Sequence, residues 1–124
     1  MTQPPIQARS ILIAEDESLL RMVTAEMFEA AGYHVIEVDS ADAGAGIVAD
    51  GRDIAGLVTD IQMPGLIDGV ALARITHEQH PQAVIIVVSG QSIPGVDELP
   101  EGAKFIGKPY DTRQILKTLD AMLA

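Results

Sequence analysis

The fold is decided by the stretch AVIIVVS at residues 83–89, an apolar run without the alternation of a half-exposed strand. Such a run is typical of a parallel strand with helices on both faces, because both sets of its side chains are then buried. Further strands are predicted at Ser10–Ala14, His34–Val38, Gly56–Asp60 and 104–106, with helical patterns between them. Strands that alternate with helices indicate right-handed β/α units, so we predict an α/β three-layer sandwich.

Helical periodicity is clear in the segment after the first strand. Its predicted inward stripe consists of Leu20, Val23, Thr24, Met27 and Ala31. Gly32 follows as a typical C-cap. Ser40, Asp68 and Asp111 are predicted to begin the later helices, because their side chains accept hydrogen bonds from the free N–H groups of a first turn.

One interval departs from this rhythm. Between Ser89 and Lys108 the chain reads GQSIPGVDELPEGAKFIG. Proline is not accommodated in a helix interior, which leaves room for about one helical turn, near Val96 to Leu99. We therefore expect the fourth helix, between strands four and five, to be short or missing.

Length and composition bound the kind of protein. Residues 1–9 are expected to be a flexible lead-in and residues 10–124 one domain, because the 124 residues fit the usual size of a single domain. The lack of cysteine excludes disulfides and thiolate metal sites and suits a reducing cytoplasm. A formal net charge of −10 opposes direct nucleic-acid binding. No apolar run is long enough for membrane insertion. These features favour a cytoplasmic protein.

Polar groups follow the predicted strands at the edge where an open parallel sheet binds ligands. They are Glu15, Asp16, Glu17, Asp60, Ser89 and Lys108. Crowded carboxylates raise at least one pKa unless a cation neutralises them, and a hard divalent ion prefers such oxygen ligands. A carboxylate also serves as a nucleophile for phosphoryl groups. The set predicts a phosphoryl-accepting site.

Four motifs in order resemble the response-regulator receiver domains of two-component signalling. They are ILIAEDE at 11–17, TDIQMP at 59–64, VVSG at 87–90 and KPY at 108–110, and they extend over nearly the whole chain. The resemblance implies a five-stranded parallel sheet in the flavodoxin-like order 2-1-3-4-5. It also implies a stand-alone receiver that uses Mg²⁺, takes its phosphoryl group from a histidine kinase or phosphotransfer protein, and signals to a downstream protein effector.

The resemblance also implies the metal site. Asp60 is the phosphoacceptor and, with Asp16, a direct Mg²⁺ ligand. Glu15 acts through a water molecule, and the backbone carbonyl of Gln62 is a further ligand.

The remaining implied roles concern switching. Ser89 is the switch hydroxyl and Lys108 the family lysine, which is usually followed by a cis proline, here Pro109. Phe105 is the switch aromatic. The chain would assist its own phosphorylation and dephosphorylation, and it would not be a turnover enzyme.

The sequence departs from the family pattern in three places. The acidic pair Glu15-Asp16 stands where two aspartates are commoner. The loop PGLIDG at 64–69 is one residue longer than the usual PGxDG, and Gly90 replaces the usual alanine. Because of the extra loop residue, we expect the wall beside the phosphoryl group to be reshaped.

Other interpretations stay open. The chain could be a receiver-like interaction module that signals without phosphate, or a phosphatase with Asp60 as nucleophile. The haloacid dehalogenase pattern needs a second aspartate two residues on, where this chain has Gln62. Asp60 alone could be a strand-end carboxylate, and the acidic run could simply favour the start of a helix.

Two short motifs have competing interpretations. GAGIVA at 44–49 matches a dinucleotide fingerprint, but it does not directly follow a strand. HEQH at 77–80 resembles a zinc motif with the wrong spacing, and a solvated helix end explains it better.

Overall fold

The computed structural model describes residues 9–90 and 98–124. Within these ranges the chain forms β1 (Ser10–Ala14), α1 (Ser18–Ala30), β2 (His34–Val38), α2 (Ala41–Val48), β3 (Gly56–Asp60), α3 (Gly69–Gln79), β4 (Val84–Ser89), β5 (Lys104–Gly107) and α4 (Thr112–Leu123). The strands form one parallel sheet in the order β2-β1-β3-β4-β5. The predicted fold class and strand order are confirmed.

The strand bounds follow the apolar runs closely. β1, β2 and β3 have the predicted limits, while β4 begins one residue later, at Val84, and β5 extends to Gly107. All of β3 and all but the first residue of β4 are buried. The interpretation of AVIIVVS as a strand covered on both faces is correct.

The two faces of the sheet carry separate apolar cores. One includes Ile13, Phe28 and Leu119 and packs under α1 and α4. The other includes Leu57 and Leu72 and packs under α2 and α3. Each buried side chain of this size contributes about 1.5–3 kcal/mol of transfer free energy. The cores therefore hold the strand ends in a fixed arrangement.

The inward face of α1 differs from the predicted stripe. Val23 is 43% exposed and Ala31 is exposed, whereas Ala25 and Phe28 are buried. Thr24 is buried as predicted and donates its hydroxyl to the carbonyl of Leu20 at 2.8 Å. Several neighbouring positions of α1 are apolar, so tertiary packing and not periodicity selects the inward side.

The three predicted helix starts are confirmed, whereas the C-cap of α1 is Ala31, one residue before the predicted Gly32. Ser40 accepts a hydrogen bond from the backbone N–H of Ala43, and Asp68 accepts one from Ala71. Asp111 is the N-cap of α4. After α1, Gly32 adopts a φ of +103°, a conformation that glycine reaches without strain.

Two predictions concern segments beyond the described residues. Residues 91–97, which contain most of the turn predicted near Val96 to Leu99, are outside them, as is nearly all of the predicted lead-in at 1–9. The described part of the interval, Gly90 and 98–103, contains no helix. None of the helices in the described ranges has the length and apolar character needed to cross a membrane.

Candidate functional site

The carboxyl ends of four strands bring the predicted groups to one edge of the sheet. Asp60 pairs with Val88 in the β3–β4 register, and Ser89 pairs with Gly107 in the β4–β5 register. Glu15 directly follows β1, and its N–H bonds to the carbonyl of Val38 at 3.1 Å. Parallel pairing thus aligns groups that are far apart in the sequence.

Asp60 is a buried carboxylate at the end of β3, with 6% of its surface exposed. Its Oδ2 accepts a hydrogen bond from Lys108 Nζ at 2.8 Å. The chain returns beside it at Gly69, where an added Cβ would lie 1.8 Å from the Asp60 carbonyl oxygen. The reacting group predicted from the sequence therefore has a cation in contact and backbone packed beside it.

Glu15, Asp16 and Asp60 form an acidic cluster. One carboxylate oxygen from each lies within 4.8 Å of the others. Two oxygens bound to one Mg²⁺ lie about 3 to 4 Å apart, so small side-chain rotations bring this donor set to the required spacing. Hard oxygen donors of this kind fit Mg²⁺. Among residues 9–90 and 98–124, these three side chains form the one group of acidic, histidine or cysteine residues close enough together to hold a metal ion.

Within the acidic cluster, Glu15 has a pKa raised above its ordinary value. The pKa of Glu15 is raised from 4.5 to about 7, chiefly by burial. The negative charge of Asp60 raises this pKa further, whereas the hydrogen bond from the N–H of Glu17 and the positive charge of Lys108 lower it. The Glu17 N–H lies 3.0 Å from Glu15 Oε2, and Lys108 Nζ lies 3.8 Å from Glu15 Oε1. The sequence analysis predicted at least one raised pKa among these carboxylates, and the structure shows that Glu15 has one.

Lys108 remains charged among these carboxylates. Burial lowers the pKa of Lys108, but the hydrogen bond and charge of Asp60, with the charge of Glu15, raise it above its ordinary value. Its backbone N–H bonds to the carbonyl of Ser89 at 2.8 Å, and the Lys108–Pro109 peptide bond is cis. A Cβ at Gly90 would lie 3.3 Å from Lys108 Cβ, so glycine there leaves space for the lysine stem.

The other predicted site residues lie on β4, on β5 and in the loop after β3. Ser89 is buried at the end of β4, and Gln62 is exposed in the loop after β3. Phe105 is half-buried in β5 and packs against the core under α2 and α3. The metal role of Gln62 and the switch roles of Ser89 and Phe105 stay predictions.

Sequence reasoning missed three contributors to this edge. Arg21 donates to the carbonyl of Glu15 at 2.8 Å and so fixes the backbone after β1. Tyr110 and Thr24 line a cavity of about 10 Å³ beneath Glu15 and Asp60, room for about one water molecule. The position of Tyr110 after Lys108-Pro109 was an available signal; the other two contacts depend on tertiary structure.

The two competing short motifs have structural explanations. GAGIVA occupies the second half of α2 and its C-cap Ala49, and not a turn between strand and helix. A Cβ at Gly44 would lie 2.8 Å from Leu72 Cδ2, so this glycine serves close packing of α2 against α3. His80 caps the end of α3, and its Nε2 lies 3.0 Å from the carbonyl of Val48.

Comparison with known proteins agrees with the fold. The sequence profile of the response regulator receiver domain matches residues 11–120. The chain belongs to this family.

Individual relatives support the same assignment. The response regulator receiver protein CpdR of Brucella abortus is 32% identical over 118 residues, which cover 93% of this chain and 97% of CpdR. The sensor kinase CckA of the same organism is 32% identical over 118 residues, which cover 92% of this chain but 12% of the kinase. A crystal structure of a response regulator receiver protein from Sinorhizobium medicae superimposes with a TM-score of 0.89 at 27% identity, with 94% of each chain covered.

Proposed function

We propose that this receiver domain accepts a phosphoryl group on Asp60 from a histidine kinase or phosphotransfer protein, with Mg²⁺, and signals through a downstream protein effector in the cytoplasm. The observation that carries the proposal is the position of the Asp60 carboxylate. It lies 2.8 Å from the Lys108 ammonium, within the acidic cluster of Glu15 and Asp16. Similarity to CpdR and to part of the sensor kinase CckA supports a place in a kinase-dependent pathway.

The chemistry requires positioning and charge neutralisation more than bond-making groups. A carboxylate oxygen of Asp60 forms a bond to phosphorus as the nitrogen–phosphorus bond of a phosphohistidine breaks. The electron pair of that bond returns to the imidazole ring. Lys108 balances negative charge on the phosphoryl oxygens, and the Ser89 hydroxyl donates to another oxygen. When bound by Glu15, Asp16, Asp60 and the Gln62 carbonyl, Mg²⁺ supplies further positive charge.

The chain then assists its own phosphorylation and dephosphorylation but is not a turnover enzyme. The carboxylate is consumed when it accepts the phosphoryl group, and it is restored only when water removes that group. Each cycle therefore yields a change in the state of the protein, which is what a signalling partner would recognise.

The proposal is tested by incubation of the protein with Mg²⁺ and acetyl phosphate, followed by intact mass spectrometry. We expect one added phosphate on the wild type and on Asp53→Asn, a control that removes an exposed carboxylate remote from the cluster. Asp60→Asn should remain unmodified. Failure of the wild type to react with acetyl phosphate and with candidate kinases would favour a module that signals without phosphate.

A further inference from the structure

The loop at residues 62–68 leaves β3 and returns to it beside the phosphoacceptor. Its ends are fixed by the backbone, since Ile61 N–H donates to the carbonyl of Val88 at 3.1 Å and Gly69 N–H donates to the carbonyl of Ile61 at 2.9 Å. The loop contains the residue that lengthens it beyond the family pattern. Its conformation therefore shapes the wall next to Asp60.

The tip of this loop is hydrogen-bonded to a side chain of α2. Asp42, in the first turn of α2, accepts the backbone N–H of Leu66 at 3.1 and 3.2 Å on its two oxygens. Its Oδ1 also lies 3.4 Å from the N–H of Ile67. Hydrogen bonds to a charged carboxylate are stronger than neutral ones. One side chain thus fixes two consecutive backbone groups.

Glycine at position 65 permits this contact. Gly65 has a φ of +133°, and a Cβ there would lie 2.2 Å from Asp42 Oδ1. The Leu66 side chain is 95% exposed and offers the tip no packing. Met63 and Ile67 on either side of the tip pack against the core under α2 and α3, and the carboxylate of Asp42 fixes the backbone between them.

We propose that Asp42 is a positioning residue that holds the loop at 62–68 against the Asp60 site and so prolongs the phosphorylated state. The inference rests on the proposed function. Loss of the phosphoryl group requires a water oxygen to bond to phosphorus as the bond to the Asp60 oxygen breaks. The carboxylate leaves with the electron pair, and the water protons pass to phosphate and solvent. A fixed apolar loop limits the approach of that water, and a released loop admits it.

The test is the lifetime of the phosphorylated full-length chain. Protein is labelled with acetyl phosphate and Mg²⁺, desalted into Mg²⁺ buffer, and followed by intact mass spectrometry. We expect Asp42→Ala to lose phosphate about fivefold faster than wild type, the factor that corresponds to one net hydrogen bond of about 1 kcal/mol. Asp42→Asn retains one acceptor oxygen and should lie between them. Asp53→Ala makes the same change of charge elsewhere and should decay as wild type.

A second pair of variants tests the contact from the loop. Gly65→Ala introduces the clash with Asp42 and should shorten the lifetime as Asp42→Ala does. Gly51→Ala is its control, because Gly51 also has a positive φ, +90°, but no atom lies within 4 Å of its added Cβ. Melting temperatures measured alongside show whether lifetime changes independently of stability.

The outcomes separate this inference from the proposed function. Equal lifetimes for wild type and Asp42→Ala would overturn the role of Asp42 while leaving Asp60 as phosphoacceptor. Equal shortening by Asp53→Ala or by Gly51→Ala would overturn it too, because charge or backbone strain would then explain the effect. A wild type that does not take up phosphate contradicts the proposed function, and the inference falls with it.

Discussion

Neutralising Glu15 should stabilise the metal-free protein, and only at high pH. The pKa of Glu15 is raised from 4.5 to about 7, chiefly by burial. Between these values the folded state binds a proton that the unfolded chain has released, so stability falls as pH rises towards 7. Above pH 7 the loss is complete and amounts to about 3 kcal/mol, at about 1.4 kcal/mol for each pKa unit.

The Glu15→Gln variant avoids this loss because its side chain is neutral at every pH. Its amide oxygen still accepts the hydrogen bond that Glu17 N–H donates to Glu15 Oε2. We expect the free energies of unfolding of variant and wild type to agree at pH 4.5 and below. At pH 8 the variant should be more stable by about 3 kcal/mol, which corresponds to roughly 10 °C in melting temperature.

The assay is urea denaturation in EDTA across pH 4.5 to 8, with Glu26→Gln as a control for the change in net charge. A stability difference that is the same at both ends of this range would refute the assignment of the raised pKa. Addition of Mg²⁺ at pH 8 should stabilise the wild type more than the Glu15→Gln variant, because a ligand that binds only the folded state adds to its stability.

Three further substitutions test the site and its scaffold. Lys108→Met removes the ammonium from the buried Asp60 carboxylate and should lower the free energy of unfolding at pH 8 by about 1–3 kcal/mol in urea titrations; no change would contradict the ion pair's role. Gly69→Ala places a Cβ 1.8 Å from the Asp60 carbonyl oxygen and should prevent stable folding, as judged by circular dichroism. Gly46→Ala is its control: the new Cβ meets no atom within 4 Å, and alanine favours the helix more than glycine does. This variant should therefore raise the free energy of unfolding by about 0.5–1 kcal/mol. Tyr33→Phe loses a hydrogen bond to a carboxylate of α4 and should lower the free energy of unfolding by about 1–2 kcal/mol, whereas an unchanged melting curve would show that bond to be negligible.

β1, β3 and β4 were predictable because burial on both faces leaves a continuous apolar run in the sequence. β3 and β4 show this directly, and their polar ends then mark the edge where the site forms. The face of α1 was less predictable. Leu19, Met22 and Val23 are apolar yet exposed, so the sequence contains more than one candidate stripe.

The details of the site depend on contacts that leave little trace in the sequence. Crowding predicted a raised pKa in the acidic cluster, but the raised pKa of Glu15 comes chiefly from burial, which is set by tertiary packing. Asp42 gave no signal, because its partners are backbone N–H groups 24 and 25 residues away. Such contacts are set by the packing of α2 beside the loop.

Locating the phosphoryl group after labelling tests the role of Asp60 as phosphoacceptor. Wild-type protein labelled with acetyl phosphate and Mg²⁺ is treated with borohydride, which reduces an acyl phosphate to an alcohol, and is then digested and sequenced by tandem mass spectrometry. We expect homoserine at position 60 and intact aspartate at Asp16 and Asp68. Reduction at another carboxylate, with Asp60 unchanged, would contradict it.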